Sequence, residues 1–146
     1  MTNSFYPKLL VFFQFGLIAL MLYFSHGVLH SLTAILLFIL GAGVGLWAVK
    51  LHKRGNFNIQ PKLKEGCELV TDGIYSYIRH PMYASVTLMM FAVFVSTPTL
   101  SELLFFLSLI FVLFLKAKRE EKLWCAHDEA YLEYKEKSKY FIPYIL

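Results

Sequence analysis

Four stretches of this 146-residue chain are almost without charge: residues 9–24, 28–49, 82–95 and 100–115, the last carrying Glu102 alone. A soluble amphipathic helix has one apolar stripe and a charged face, so blocks of this kind exclude a water-soluble fold. Hydrophobic residues make up 58% of the chain and its mean hydropathy is +0.56, whereas soluble domains are about 45–50% apolar. Cysteine is scarce, with only Cys67 and Cys125. No Cys/His spacing suits zinc, and His52, His80 and His127 are too dispersed to argue for a metal. There is no Walker-type loop, internal repeat or low-complexity tract, and no small-residue cleavage site follows the first block, so a removed signal peptide is not expected.

The blocks that are present predict an all-α polytopic membrane protein, read as one domain over residues 1–146. About four transmembrane helices are expected as two hairpins, with an interfacial helix after them. Crossing ~30 Å of hydrocarbon takes about 20 helical residues, so the second block suffices and the others need flanking residues to reach that length. Basic residues are absent from the connectors at 25–27 and 96–99. All 14 lie elsewhere: Lys8 before the first block, six between the second and third, and seven after the fourth. Because such residues accumulate on the cytosolic side, both termini and the polar loop at 52–72 are expected there. Both cysteines then face a reducing compartment, and a structural disulfide is not expected. The net charge of +4 reflects this topology and attraction to anionic lipid headgroups, not nucleic acid. After residue 115 the pattern suits a helix running along the membrane surface to about Lys137. Tyr140, Phe141, Ile142, Pro143 and Tyr144 then read as an aromatic anchor in the interface.

Polar residues near the membrane fall in two stretches, 69–85 and 116–143, and chemistry is expected where these meet. In the first, Pro81 suits the opening turn of a helix, where its missing N–H costs nothing. Arg79 and His80 there, beside free N–H groups and the positive end of the helix dipole, make an anion site or simply sit among headgroups. In the second, Lys116 and Glu120 are spaced for an i to i+4 pair on a solvated face, and the adjacent Glu120 and Glu121 point about 100° apart, so at most one aims straight into a pocket. Gly41, Gly43 and Gly45 lie inside an apolar run and are spaced for close helix packing.

The combination of Gly73-Ile74-Tyr75, Arg79-His80-Pro81-Met82-Tyr83, Glu120-Glu121 and the later Tyr131, Tyr134 and Pro143 resembles the isoprenylcysteine carboxyl methyltransferase and phospholipid methyltransferase superfamily. The resemblance covers about residues 69–143. It implies an integral membrane enzyme that transfers a methyl group from S-adenosylmethionine, without metal, to a lipophilic acceptor drawn from the bilayer. It also implies catalytic roles for Arg79, His80 and Glu121, and a cofactor pocket formed by Leu69, Val70, Gly73, Tyr75, Arg79, His80, Pro81, Tyr83, Glu120 and Glu121. Membrane lipids and a prenylated or other lipophilic acceptor are the partners expected. Three positions depart from the family pattern: His127 and Asp128 replace a usual Phe-Gly, and Ser85 replaces a common glycine. The alternatives are a nicotinamide-dependent reductase on the same scaffold and a non-catalytic lipid-binding membrane protein.

Overall fold

The computed structural model describes residues 5–51, 60 and 68–141. Among these described residues, three helices are long and apolar enough to cross a membrane: α1 (Phe5–Phe24), α2 (Leu32–Leu51) and α4 (Leu100–His127). Between the last two lies α3 (Pro81–Ser96), apolar but of 16 residues, and α5 (Ala130–Lys137) follows α4. At 1.5 Å per residue α1 and α2 measure about 30 Å, α3 about 24 Å and α4 about 42 Å. About the first twenty residues of α4 therefore match the hydrocarbon thickness, and its last two turns stand beyond it. The protein is an all-α membrane protein, as expected, and the described residues form no strand apart from one isolated bridge. Most of the loop expected at 52–72, with Cys67, lies outside the described residues, as do Ile142, Pro143 and Tyr144 of the aromatic tail.

Two boundaries differ from expectation. The second block begins with a 3₁₀ turn over Val28–His30, and α2 starts only at Leu32, because the Ser31 hydroxyl caps the helix by accepting from Ala34 N at 3.3 Å. At the other end, α4 continues through the charged residues instead of changing direction near Leu115. Its buried stripe, Glu102, Phe106, Leu109, Leu113, Lys116, Ala117 and Glu121, keeps the same helical spacing across the change in composition. Thr99 starts this helix by accepting from Glu102 N at 3.3 Å. Asp128 ends it, its carboxylate accepting from Ala130 N at 2.9 Å to open α5.

Helix α2 packs on α3, α1 packs on α4, and α3 joins the two pairs. Lipid offers no hydrophobic drive for helices to associate, so close packing depends on small residues. On α2 these are Ala34, Gly41 and Ala48, all buried at two-turn spacing. A Cβ at Gly41 would lie 3.1 Å from Ser85 O and one at Gly45 2.5 Å from Ser85 Oγ, while the Ser85 hydroxyl donates to Gly41 O at 2.7 Å. The expected close packing thus holds at Gly41 and Gly45. At Gly43 it does not, since that position faces open space.

The connectors meet at one end of the bundle, where His26 N donates to Thr97 Oγ1 at 2.9 Å. The beginnings of α1 and α3, the end of α2 and the last turns of α4 lie at the opposite end. A core of Met21, Tyr83, Met90, Val93, Phe106, Leu109, Leu113 and Ala117 joins the two ends. Outside it, Phe12, Leu36, Ile39 and Phe111 are more than half exposed, an apolar surface suited to lipid contact.

Candidate active site

Before α3 the chain makes a 3₁₀ turn over Gly73–Ser76. Gly73 begins it at φ 57°, where a Cβ would also meet Leu51 Cδ1 at 2.6 Å, so both backbone conformation and space call for glycine. Ile74, Tyr75 and Ile78 bury against Ala48 of α2, with Val70 packed at the edge. This anchors the turn and delivers Arg79 and His80 to the mouth of α3, where Pro81 occupies the first turn.

The hairpin of α3 and α4 then brings the two polar stretches together, as expected. Arg79 Nε donates to Glu121 Oε1 at 2.6 Å. His80 Nε2 lies 3.4 Å from the same oxygen, and its Nδ1 lies 3.6 Å from Glu120 Oε2. Tyr83 OH donates to Glu120 Oε1. Arg79, His80 and Glu121 are buried, each under a tenth exposed, whereas the Glu120 side chain keeps 22% of its surface open.

The far end of the second stretch, whose aromatics sequence reasoning assigned to a membrane anchor, completes the cluster. Residues 138–140 run parallel to residues 77–80: Lys139 N donates to Tyr77 O at 3.0 Å, Arg79 N to Lys139 O at 2.7 Å and His80 N to Tyr140 O at 3.1 Å. The Arg79 guanidinium also donates to the carbonyls of Lys135, at 2.9 Å, and Ser138. Tyr140 OH donates to Glu121 Oε2 at 2.8 Å, and Lys135 Nζ stands 3.0 Å from that oxygen. The Tyr140 and Phe141 rings lie 5.7 and 5.9 Å from His80, with Arg79 4.6 Å above the Tyr140 ring. These two aromatics therefore cap the cluster, correcting the expectation of a membrane anchor: their backbone is drawn in by the bridge to residues 77–80. Tyr134 adds a bond from its hydroxyl to Tyr75 O at 2.6 Å. No local pattern announces this clamp, because its signal is a pairing of backbones far apart in sequence.

The electrostatics follow from these contacts. Burial alone would lower the His80 pKa, but bonding and charge from Glu120 and Glu121 outweigh it and raise the value above 6.5. Burial alone would raise that of Glu121, yet the bonds from His80, Arg79, Tyr140 and Lys135 hold it down at about 2. Burial pushes the Tyr134 and Tyr140 phenols up to about 12, so both remain donors at neutral pH. Glu121, in the last turns of α4, is a permanent carboxylate between a guanidinium and a histidine that favours its charged form.

Lys116 departs most from the sequence reading. It is 1% exposed, donating to Gln14 Oε1 of α1 at 2.5 Å and lying 5.0 Å from the centre of the Tyr83 ring. It does not sit on a solvated face, because α4 keeps its buried stripe in register through this position. Of the remaining candidates, Tyr75 is buried beside the cluster, Pro81 opens α3 beneath it, Val70 and Gly73 lie against α2, and Leu69 is half-buried just before the turn. His127 ends α4 with its ring 5.9 Å from Trp124, and Asp128 serves as the cap between α4 and α5.

The phospholipid methyltransferase family profile matches residues 29–128, from the turn before α2 to the end of α4. The chain belongs to that family. It is a membrane methyltransferase, and the matched span includes Arg79, His80, Tyr83, Glu120 and Glu121, whereas α1, the Tyr140 clamp and α5 lie outside it. No curated protein matches the methyltransferase.

Proposed function

We propose that this methyltransferase transfers the methyl group of S-adenosylmethionine to a lipophilic acceptor, a phospholipid-like amine or an isoprenylcysteine-like carboxylate, at the cytosolic membrane interface. The observation that carries the reading is the convergence of Arg79, His80, Glu120 and Glu121 at a helix mouth directly above an apolar bundle. The one-sided distribution of basic residues supports placing that mouth on the cytosolic side.

The donor set fits such a cofactor. Glu120 has open surface for ribose hydroxyls or a cationic group, and the stacked His80, Tyr83 and Tyr140 rings offer flat apolar faces beside it. When bound, the cofactor supplies a methyl already activated by a sulfonium, so the protein needs no nucleophile and contributes alignment and exclusion of water. Glu121 is already engaged by four partners and Arg79 by the clamp, so we assign both to holding the pocket in shape. Glu120 is the residue assigned to the ligand. His80 lies between both carboxylates, which draw its pKa upward, and so suits orienting them. An amine acceptor would meet the Glu120 carboxylate as its nearest proton acceptor.

Binding of radiolabelled S-adenosylmethionine to purified protein in detergent tests this. Wild type is expected to bind and Glu120→Gln to lose most of that binding while still folding. Absence of binding by the wild type would refute the reading.

A further inference from the structure

Along the membrane surface between α1 and α4 runs a groove of about 710 Å³. Leu9, Phe13 and Leu17 form one wall and Leu107, Phe111 and Leu115 the other. Ser108 also lines it, but its hydroxyl is spent on Leu104 O at 2.8 Å. Toward the basic end the groove reaches Tyr6, over whose ring the Arg119 guanidinium lies at 5.5 Å. Arg119 is one turn beyond Leu115, and its Nε is buried without a hydrogen-bond partner among the described residues. The residue as a whole is only half-buried, so the charge of its outer guanidinium is open to an anionic group at the end of the groove.

Depth and direction agree with one kind of ligand. Arg119 is the twentieth residue of α4, about 30 Å from its start and so at the boundary between hydrocarbon and headgroups. Residues 119 and 121 are about 200° apart on a helix, which turns the groove away from the Arg79–Glu121 cluster. We infer that the α1–α4 groove is a phospholipid site, with an acyl chain against Phe13 and Phe111 and the lipid phosphate on Arg119. Arginine's planar fork suits a phosphate. A second copy of the chain is the poorer occupant, because Lys8, Lys118 and Lys122 are exposed at the same end and a symmetric contact would bring like charges together. The site does not depend on methyl transfer, and any phosphodiester lipid of the bilayer qualifies.

Photolabelling of the full chain in phosphatidylcholine vesicles tests the inference. The probes are a phosphatidylcholine and a diacylglycerol carrying the same diazirine-bearing acyl chain. One cation near the surface contributes about 1 kcal/mol toward anionic lipid groups, so peptides containing Phe13 and Phe111 should be labelled about fivefold more by the phospholipid. Peptides from the lipid-facing side of α2, at Leu36 and Ile39, should be labelled equally by both probes, and Arg119→Gln should bring the groove to parity. Equal labelling of the groove in the wild type would mean ordinary surrounding lipid and would overturn the site. Chain-to-chain crosslinks on this face would overturn it in favour of a dimer. The comparison of groove with α2 face within the wild type stands even if Arg119→Gln fails to accumulate.

Discussion

Adjacent helical residues point about 100° apart, and here that angle sends Glu121 into the closed centre of the cluster and leaves Glu120 at its open edge. Replacing Glu121 by Gln leaves Arg79 buried without its counter-charge, which costs about 3–5 kcal/mol when a buried pair is broken. Thermal unfolding in detergent should therefore show a large drop in Tm for Glu121→Gln and little change for Glu120→Gln. His80 makes a separate prediction. Its folded pKa is raised above 6.5, so its contribution to stability is fully present below that value and is lost as pH rises through the higher folded value. Melting measured upward from about pH 6.5 should show this loss in the wild type, and His80→Gln should remove that part of the pH dependence.

At the scale of helices, the fit between α2 and α3 rests on Gly41 and Gly45 facing Ser85. A methyl at Gly41 would lie 3.0 Å from Met89 N and 3.1 Å from Ser85 O, backbone atoms that move only with the helix. Gly41→Ala should destabilise by about 1–3 kcal/mol as overpacking does. Gly43→Ala meets nothing and should be neutral or gain up to about 1 kcal/mol of helix propensity; melting of the two variants side by side checks both. The helices themselves were legible in the sequence because an uncharged run of sufficient length has few other folds in a bilayer. Their termini were less so: the Ser31 cap delays α2, and α4 carries its register through seven residues rich in charge. Lys116 was misread because i to i+4 spacing reports neighbours on the same helix and is blind to Gln14 on another.

Across the whole molecule, the convergence of His80 with Glu120 and Glu121 was legible, since two apolar stretches joined by a short connector return the chain to its starting side. The clamp of residues 138–140 was not, because a parallel backbone bridge leaves no periodic trace. The proposed orientation has its own test. Cys125, half-buried near the end of α4, should react with an impermeant thiol reagent in inverted vesicles and not from the outside of intact cells; labelling from outside would reverse the topology.

The clamp also sets an order of events during synthesis. Arg79 draws on the Ser138 carbonyl, 59 residues downstream, so translation at ~5–20 residues per second leaves an interval of about 3–12 s before its partner exists. During that time the earlier helices can insert, but the pocket has no lid over His80. A ribosome stalled between the Arg79 and Ser138 codons would therefore hold a chain threaded into the membrane with its candidate site still unmade.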